Sequence, residues 1–461
     1  MWAIFARVDE DHPIVYASAF AGVLITMMIY VVQRVHFPFY HDSLNYWEIT
    51  SSFYEKGHFS LANFSDGLRG YLFPFLLLVI QRQADLFGID AKLLFAVYSA
   101  LFFAVFAMYL VPWFFGEVFR WKTNIVNSIA FSLLIFFFWR GHFLYPLTDF
   151  PALAAFLTGF TLLASVNSGR KSLIWLLLAG FFVGAAINIR PVYQISFIVI
   201  LIFSSIAWWK LGAGKMILSM SLFLLGCGII LFPQWVINRV HFNSNSPLVL
   251  AKYVDDANVY EVQLFWGLKT QKYETNIGEN YPLAAVVYSD PLALKLPRNM
   301  LKEKNIANYL QTIRNNPMDV AISYFRHTFN GLDIFFPTPY VKNIFSDHFF
   351  YSLMNYLIWF LLLYHMTRPV SSKIYYANLF CVLSLLAPVA LAVPGVVEIR
   401  FFLPAYILAY GVISYGFDYR EWFVNVTNNK WHLLRLLFLC LIWVLVCFTL
   451  SASTIERLVM N

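Results

Sequence analysis

Two carboxylates stand beside long apolar runs of this 461-residue chain, where they could act on a substrate at a membrane surface. Asp42 follows the first run, in the segment 41–47, and Asp149 precedes a later run, in the segment 145–151. A carboxylate within hydrogen-bond reach of a hydroxyl can remove its proton as a general base. Both also have plain structural interpretations: Asp42 as a solvated loop acid, and Asp149 as the N-cap of a helix with proline in its first turn.

Three further charges lie at the ends of apolar runs. Arg190 follows one run, and Glu398 and Arg400 stand in the apolar segment 394–404. Charges at such depth are costly in a membrane and tend to be functional, although an arginine at a helix end can also simply extend to the headgroups. A guanidinium binds a phosphate or diphosphate bidentately and does not lose its charge. The two arginines therefore predict a site for a phosphorylated substrate, with Glu398 orienting Arg400.

Four uncharged or weakly basic side chains neighbour these charges in the sequence. We predict that they contribute to substrate binding on the same face of the membrane. They are His41, Tyr46, His142 and Tyr193.

The composition indicates the class of protein that must position these side chains. The chain is 60% hydrophobic and 12% charged, whereas soluble proteins carry roughly a quarter charged residues. The net charge of +7 comes from short basic clusters between apolar runs, a pattern of membrane orientation and not of nucleic-acid binding. The four cysteines lie inside apolar runs and show neither zinc-site spacing nor a disulfide framework. We predict an all-α polytopic membrane protein.

Eleven apolar runs are long enough to be candidate transmembrane helices, for which about 17–25 residues are needed. The runs are 14–33, 93–115, 123–139, 150–166, 173–189, 191–209, 216–237, 349–367, 374–397, 401–417 and 436–453. The segment 1–13 lacks a basic region and a cleavage site, so we expect the first run to be a retained span and not a removed signal.

A twelfth run, 71–80, is too short to cross and predicts an interfacial or re-entrant helix. With a cytoplasmic N-terminus and no crossing by this run, the short basic loops all become cytoplasmic, as expected for positive residues. Asp42, Asp149, Arg190 and Arg400 then share the outer face. The basic clusters behind this orientation are Arg120/Lys122, Arg170/Lys171, Lys210/Lys215 and Arg368/Lys373.

The runs divide the chain into three parts. Residues 1–238 form an N-terminal transmembrane module whose first external loop, 36–90, carries interfacial helices. Residues 239–348 form an external domain, since eleven Lys/Arg and ten Asp/Glu are nearly balanced, and residues 349–461 form C-terminal transmembrane helices. Apolar residues between Pro317 and Pro337 recur near helical spacing and predict an amphipathic helix on the membrane.

Several familiar motifs are absent from the sequence. It has no glycine-rich phosphate loop, no His-Glu-x-x-His and no nucleophile elbow. A soluble sugar nucleotide is therefore a poor candidate donor, and a donor that partitions into the membrane fits better.

The order of these motifs resembles the C-type (GT-C) membrane glycosyltransferases, which include protein mannosyltransferases and the lipid A aminoarabinose transferase. The shared pattern comprises an early external acid (Asp42), interfacial helices (46–57 and 71–80), a Thr-Asp-x-Pro segment (148–151) and a late Glu-x-Arg segment (398–404). Where many relatives carry His-Pro-Pro or Asn-Pro-Pro before the second interfacial helix, this chain has Leu-Arg-Gly-Tyr at 68–71.

The resemblance implies a polyprenyl-phosphate-linked sugar donor, inversion at the anomeric carbon and Asp42 as general base. The acceptor is a glycan, a lipid or a protein, and the expected location is the bacterial inner membrane with the site facing the periplasm. Arg190 and Arg400 would stabilise the leaving phosphate. Some relatives use a divalent cation such as Mg²⁺ or Mn²⁺, which Asp42 and Asp149 would share.

Two other functions remain open at this point. An O-antigen polymerase or ligase would use a diphosphate-linked glycan and would rest on arginine or histidine instead of an early acid. A lipid-linked sugar transporter or flippase would be expected to show internal repeats and charges at mid-membrane, neither of which is visible in the sequence.

Overall fold

The fold is mostly helical with little sheet, as the composition predicts. The structure is a computed structural model that describes residues 13–167, 173–209, 212–253, 257–296, 306–367, 376–417, 419 and 430–459. In chain order the helices are α1 (Pro13–Val32), α2 (His41–Glu48), α3 (Leu72–Phe87), α4 (Ala91–Phe119), α5 (Ile125–Leu144), α6 (Asp149–Val166), α7 (Ile174–Ile189), α8 (Pro191–Ile206), α9 (Ala213–Phe242), α10 (Val259–Gly267), α11 (Ile306–Asn315), α12 (Pro317–Gly331), α13 (Phe349–Met366), α14 (Asn378–Ala392), α15 (Ile399–Gly416) and α16 (Lys430–Ile455).

Eight of these helices are long and apolar enough to cross a membrane, counted over the described residues only. They are α1, α4, α5, α6, α9, α13, α15 and α16. Helices α7, α8 and α14 are apolar but shorter. Together the eleven helices correspond to the eleven predicted runs, so the polytopic helical class is confirmed, while the count of eleven spans stays a prediction. Of the basic clusters used for orientation, Arg170, Lys171, Lys210, Arg368 and Lys373 lie outside the described residues.

The segment 36–90, which was predicted to be the first external loop, differs from its predicted helices. The expected helix 46–57 is wrong in its bounds, because α2 ends at Glu48, a 3-10 turn covers Ile49–Phe53 and a hairpin follows. The hairpin pairs β1 (Tyr54–Glu55) with β2 (His58–Phe59). Lys56 and Gly57 turn between them with φ of 48° and 81°, a left-handed conformation that a helix cannot contain.

The short run 71–80 forms part of α3, which is sixteen residues long. The helix continues past the apolar residues to Phe87 and ends where Gly88 adopts a left-handed φ of 64°. Its length falls below that of a standard membrane span.

The chain divides into two compact units, and the predicted division into three parts stays a prediction. The first unit comprises residues 1–255 and 374–387, and the second comprises residues 256–373 and 388–461. The predicted boundary at 238/239 lies inside α9, because that helix continues through Phe242 before Asn243 turns with φ of 49°.

The second unit contains a small sheet beside its helices. Its central strand, β3 (Thr270–Asn276), pairs antiparallel with β4 (Ala285–Ser289) and parallel with β5 (Tyr340–Val341). Near the C-terminus, Leu458 forms an antiparallel bridge with Tyr288 of β4.

The predicted amphipathic helix is present as α12, but its buried face is mostly polar. Ser323, His327 and Asn330 are buried, whereas Phe325 is 63% exposed. The polar face can be buried because its side chains form hydrogen bonds. The His327 ring contacts the Val393 carbonyl at 2.6 Å, and the Asn330 amide donates to a β3 carbonyl. Apolar periodicity therefore predicted the helix, and its position on the membrane stays a prediction.

Candidate active site

The first unit brings Asp42 into an ion pair that the sequence did not indicate. The Arg69 guanidinium donates to the Asp42 carboxylate at 3.3 Å and lies 3.5 Å from Asp66. The Asp42 side chain is 41% exposed, whereas that of Arg69 is 12% exposed. Asp42 is thus held in place while remaining open to a substrate.

Arg69 is positioned by the turn that leads into α3. The Asp66 carboxylate accepts hydrogen bonds from the backbone amides of Leu68 and Arg69, each at 2.7 Å. Gly70 follows, and a Cβ there would lie 1.9 Å from the Asn188 carbonyl oxygen. The side-chain oxygen of Asn188 in turn accepts from the Leu72 amide at 2.9 Å. The end of α7 therefore fixes the loop that carries Arg69.

Asn188 is itself held by a buried polar network. Its side-chain amide donates to Gln234 at 2.9 Å, and Gln234 donates to Asn238 at 2.9 Å. All three side chains are at most 1% exposed. Buried amides whose hydrogen bonds are satisfied specify one arrangement, so this network rigidly joins α7, α9 and the start of α3.

The second carboxylate is paired in the same way. Asp149 is the first residue of α6, and it forms an ion pair with Arg190, which follows α7. The Asp149 side chain is 1% exposed and the Arg190 side chain 17% exposed. Among the described residues, Asp149 Oδ2 has no hydrogen-bond partner, so the expected N-cap role is not what its carboxylate does here.

Tyr46 joins the two pairs. The Arg69 guanidinium lies 5.1 Å from the centre of the Tyr46 ring, and the Tyr46 hydroxyl hydrogen-bonds the Thr148 side chain. Burial raises the pKa of Tyr46, and Asp42 acts in the same direction while Arg69 and Arg190 oppose it. The raised pKa keeps the phenol neutral, and its contact with Thr148 lies next to Asp149 in the chain.

The other predicted side chains of this unit have different surroundings. His41 is exposed and has a left-handed φ of 46°, which is uncommon outside glycine and tends to occur at functional sites. His142 is buried beside Trp139, with ring centres 4.8 Å apart. Tyr193 is buried and stacks on Phe156, so its contacts are those of a packing residue.

His142 and Asp149 together line a small cavity between aromatic side chains. Its volume is about 50 Å³. Because one water occupies roughly 30 Å³ in the liquid, the cavity suits one or two waters and not a sugar.

The predicted pair of Glu398 and Arg400 lies in the second unit, where the two side chains contact each other. Glu398 is 16% exposed and Arg400 is 18% exposed. The contact is present, and the orienting role of Glu398 in substrate binding stays a prediction. The preceding residue, Val397, accepts a hydrogen bond from the Tyr273 amide of β3 at 2.9 Å.

Next to this pair, β3 carries a buried charged cluster that sequence reasoning missed. Lys272 is fully buried, donates to the Asp333 carbonyl at 2.8 Å and lies 3.6 Å from the Glu274 carboxylate. Its ammonium also stands 3.2 Å from the centre of the Phe335 ring. The Asp333 carboxylate accepts a hydrogen bond from the Tyr356 hydroxyl at 2.8 Å.

Burial dominates the electrostatics of this cluster. It raises the pKa of Glu274 to about 7, with Lys272 opposing the shift and Glu398 adding to it. It likewise raises the pKa of Asp333 and lowers that of Lys272. Each group is thus pushed towards its neutral form, and their mutual attraction resists that change.

Three side chains of the first site were not singled out by sequence reasoning. Arg69 was visible only as a departure from the His-Pro-Pro pattern of the glycosyltransferases that the sequence resembles, and Asp66 and Thr148 carried no separate signal. The charge of Arg69 directly before Gly70, ahead of a short apolar run, is the one local feature that could have pointed to it.

A shared metal does not fit the two carboxylates as they stand. Each already carries an arginine, and a cation between Asp42 and Asp149 would have to displace or be repelled by guanidinium groups. Within the described part of the chain, no group of three or more His, Cys, Asp or Glu is arranged to hold a metal ion.

No protein-family model, curated protein or solved structure matches this chain.

Proposed function

We propose that this chain is a membrane glycosyltransferase of the C type, which transfers a sugar from a polyprenyl-phosphate donor to a hydroxyl acceptor. The observation that carries the proposal is the pair of aspartate–arginine contacts, Asp42–Arg69 and Asp149–Arg190, joined through Tyr46. In such a site, an accessible carboxylate can accept a proton, and two guanidinium groups can bind a phosphate.

Exposure assigns the roles of the two acids. Asp42 is the more accessible carboxylate, so it takes the proton of the acceptor hydroxyl. The acceptor oxygen then bonds to the anomeric carbon from the face opposite the phosphate. The bond from that carbon to the phosphate oxygen breaks, and its electron pair leaves with the lipid phosphate. Asp149, which is nearly fully buried, orients Arg190 and does not touch the acceptor.

Arginines supply the stabilisation of the leaving group in this mechanism. As the carbon–oxygen bond breaks, negative charge grows on the phosphate, and a fixed guanidinium lowers the free energy of that state. Arg69 and Arg190 are the candidates in the first unit, because both are partly buried and already oriented by carboxylates. Arg400, held by Glu398 in the second unit, is a further candidate ligand of a lipid phosphate.

Contacts within the first unit support the proposed topology. The His241 ring contacts the Ala62 carbonyl at 2.6 Å, and the Lys252 amide donates to the Gly67 carbonyl at 3.2 Å. The end of α9 therefore lies on the same side of the membrane as the first external loop. An even number of crossings would separate them, and six crossings by α4 to α9 without one by α3 fit this requirement.

A second contact indicates whether the C-terminal part crosses the membrane an even or an odd number of times. Leu458 pairs with Tyr288, so the residues after α16 lie on the same side as β4. An even number of crossings is again required between them. The three long helices α13, α15 and α16 make an odd number, which favours a crossing by the shorter α14. With α1 and crossings by α4 to α9, these four would make the eleven spans that we propose.

The function is tested by release of polyprenyl phosphate from a panel of polyprenyl-phosphate hexoses and pentoses, with a membrane extract as the acceptor source. Asp42→Asn should lower the rate by about 10²–10⁴, because asparagine cannot accept the proton. Asp85→Asn is the matched control, since Asp85 is also an exposed acid paired with an arginine in the same loop, and it should keep the wild-type rate.

The outcomes separate the competing functions. Full activity of a well-folded Asp42→Asn variant would refute the proposed base. Release of a polyprenyl diphosphate would indicate a polymerase or ligase, and movement of the lipid-linked sugar across the membrane without bond cleavage would indicate a flippase.

The topology is tested by single cysteines in a background without Cys227, Cys381, Cys440 and Cys447. Ser65→Cys and Asp85→Cys lie before and near the end of α3, and both should react with an impermeant thiol reagent added outside. Lys122→Cys, an exposed position after α4, should be protected until the membrane is opened. Protection of Asp85→Cys together with labelling of Lys122→Cys would mean that α3 crosses.

A further inference from the structure

A cavity of about 580 Å³ lies between α13 and α16 of the second unit. Its volume falls within the range of about 300–1,000 Å³ that is usual for small-molecule sites. Most of the side chains around it are apolar, among them Phe360, Leu439 and Ile442. None of its lining residues belongs to the candidate active site or to the charged cluster of β3.

The cavity is bounded by two contacts between the helices. At one end, the Trp443 indole donates to the Tyr356 carbonyl at 2.9 Å. At the other end, the Tyr364 hydroxyl and the His432 ring are within hydrogen-bond distance, at 3.2 Å. The cavity thus has an apolar end beside the tryptophan and a polar end beside the histidine.

The length of the cavity matches one leaflet of a bilayer. Its lining extends along α16 from His432 to Val446, which is roughly 21 Å at the rise of about 1.5 Å per residue, and the part from Arg435 to Val446 is roughly 16 Å. Half of the hydrocarbon core measures about 15 Å. A single lipid chain that enters at the polar end would therefore end near the middle of the bilayer.

The polar end carries a positive charge, and no acid lines it among the residues that the structure describes. Arg435 lines it, and it is the last charged residue before the apolar run 436–453. Among the residues that the structure describes, none forms an ion pair with Arg435, and the lining contains no aspartate or glutamate. An unpaired guanidinium at the edge of the hydrocarbon core is suited to a phosphate headgroup, to which it can donate two hydrogen bonds.

We propose that this cavity binds one chain of an anionic phospholipid, whose phosphate contacts Arg435 and His432. The length of the cavity, its apolar lining and the charge at one end all favour this occupant. The site does not depend on the proposed glycosyltransferase activity.

The experiment is native mass spectrometry of the purified full chain with phosphatidylglycerol or phosphatidylcholine added in detergent. Wild type should retain one phosphatidylglycerol in preference to phosphatidylcholine. Arg435→Gln should weaken that binding about tenfold or more, as expected for loss of a hydrogen bond between charged groups. Lys430→Gln removes the same charge from the start of α16 outside the cavity lining, and it should bind as wild type does.

A second variant tests the apolar part. Leu439→Trp would fill the cavity and should lower retention of phosphatidylglycerol without altering the charge. If Arg435→Gln and Lys430→Gln lost phosphatidylglycerol equally, general surface charge would explain the binding, and the proposal would be overturned. The proposal would also be overturned if phosphatidylcholine were retained equally or if undecaprenyl phosphate were preferred. It would be overturned as well if no lipid were retained because a segment of the chain fills the cavity.

Discussion

The two charged groups of this molecule differ in how far their ionised side chains are removed from water. In the first unit, one member of each pair is the more open: Asp42 is 41% exposed beside Arg69 at 12%, and Arg190 is 17% exposed beside Asp149 at 1%. In the second, Lys272 is fully buried and its partner Glu274 is 9% exposed. Ion pairs that face solvent can exchange a partner for a ligand at low cost, whereas a buried cluster loses most of its stabilisation when one member leaves. The first group is therefore suited to binding and chemistry, and the second to holding the fold.

The largest effect on stability should come from breaking the buried cluster. Lys272→Met removes the only cation between Glu274 and Asp333 among their described contacts, and it should lower the free energy of unfolding by about 3–5 kcal/mol. Arg82→Met, which breaks an exposed pair with Asp85, should cost less than about 1 kcal/mol. Thermal unfolding in detergent measures both.

One result would contradict a stabilising role of the buried cluster. If Lys272→Met unfolds at the same temperature as Arg82→Met, the cluster does not stabilise the second unit, and its buried charges would then call for a functional explanation.

A smaller effect should appear in the dependence of stability on pH. Because burial raises the pKa of Glu274 from 4.5 to about 7, the folded chain binds a proton in this range that the unfolded chain lacks. The contribution of this group to the free energy of unfolding is therefore greatest below pH 4.5 and falls as the pH rises to about 7. Glu274→Gln should flatten the decline, measured as the midpoint of thermal unfolding between pH 5 and 8.

The control for this experiment is Glu279→Gln, which changes an exposed acid of the same segment. Its pH profile should follow that of wild type. A wild-type slope in Glu274→Gln would mean that another group binds the proton.

Apolar run length predicted most of the helices, since hydrophobic composition is a local property of the sequence. It also predicted that Asp42 and Asp149 share one face, and the hydrogen bond between Tyr46 and Thr148 brings their segments together. The predicted bounds of the helix at 46–57 were wrong because a hairpin turn at Lys56 was not recognised. Local patterns thus predict elements better than their ends.

The partners of the charges could not be predicted from the sequence. Arg69 meets Asp42 only because Gly70 packs against Asn188, a contact between residues that are far apart in the chain. Lys272 and Glu274 have the composition of a solvated strand, and only the fold reveals that both are buried. Ion pairing depends on tertiary packing, which a single sequence does not encode in any short pattern.

The most direct test of the proposed site separates donor binding from transfer. Asp42→Asn should bind a polyprenyl-phosphate sugar with wild-type affinity and fail to transfer it. Arg69→Lys keeps the charge but loses the planar fork, so its affinity for the donor should fall by about 10–100-fold. Donor affinity and turnover are both measured on the purified variants in nanodiscs. Wild-type donor affinity in Arg69→Lys, together with wild-type turnover in Asp42→Asn, would contradict the account.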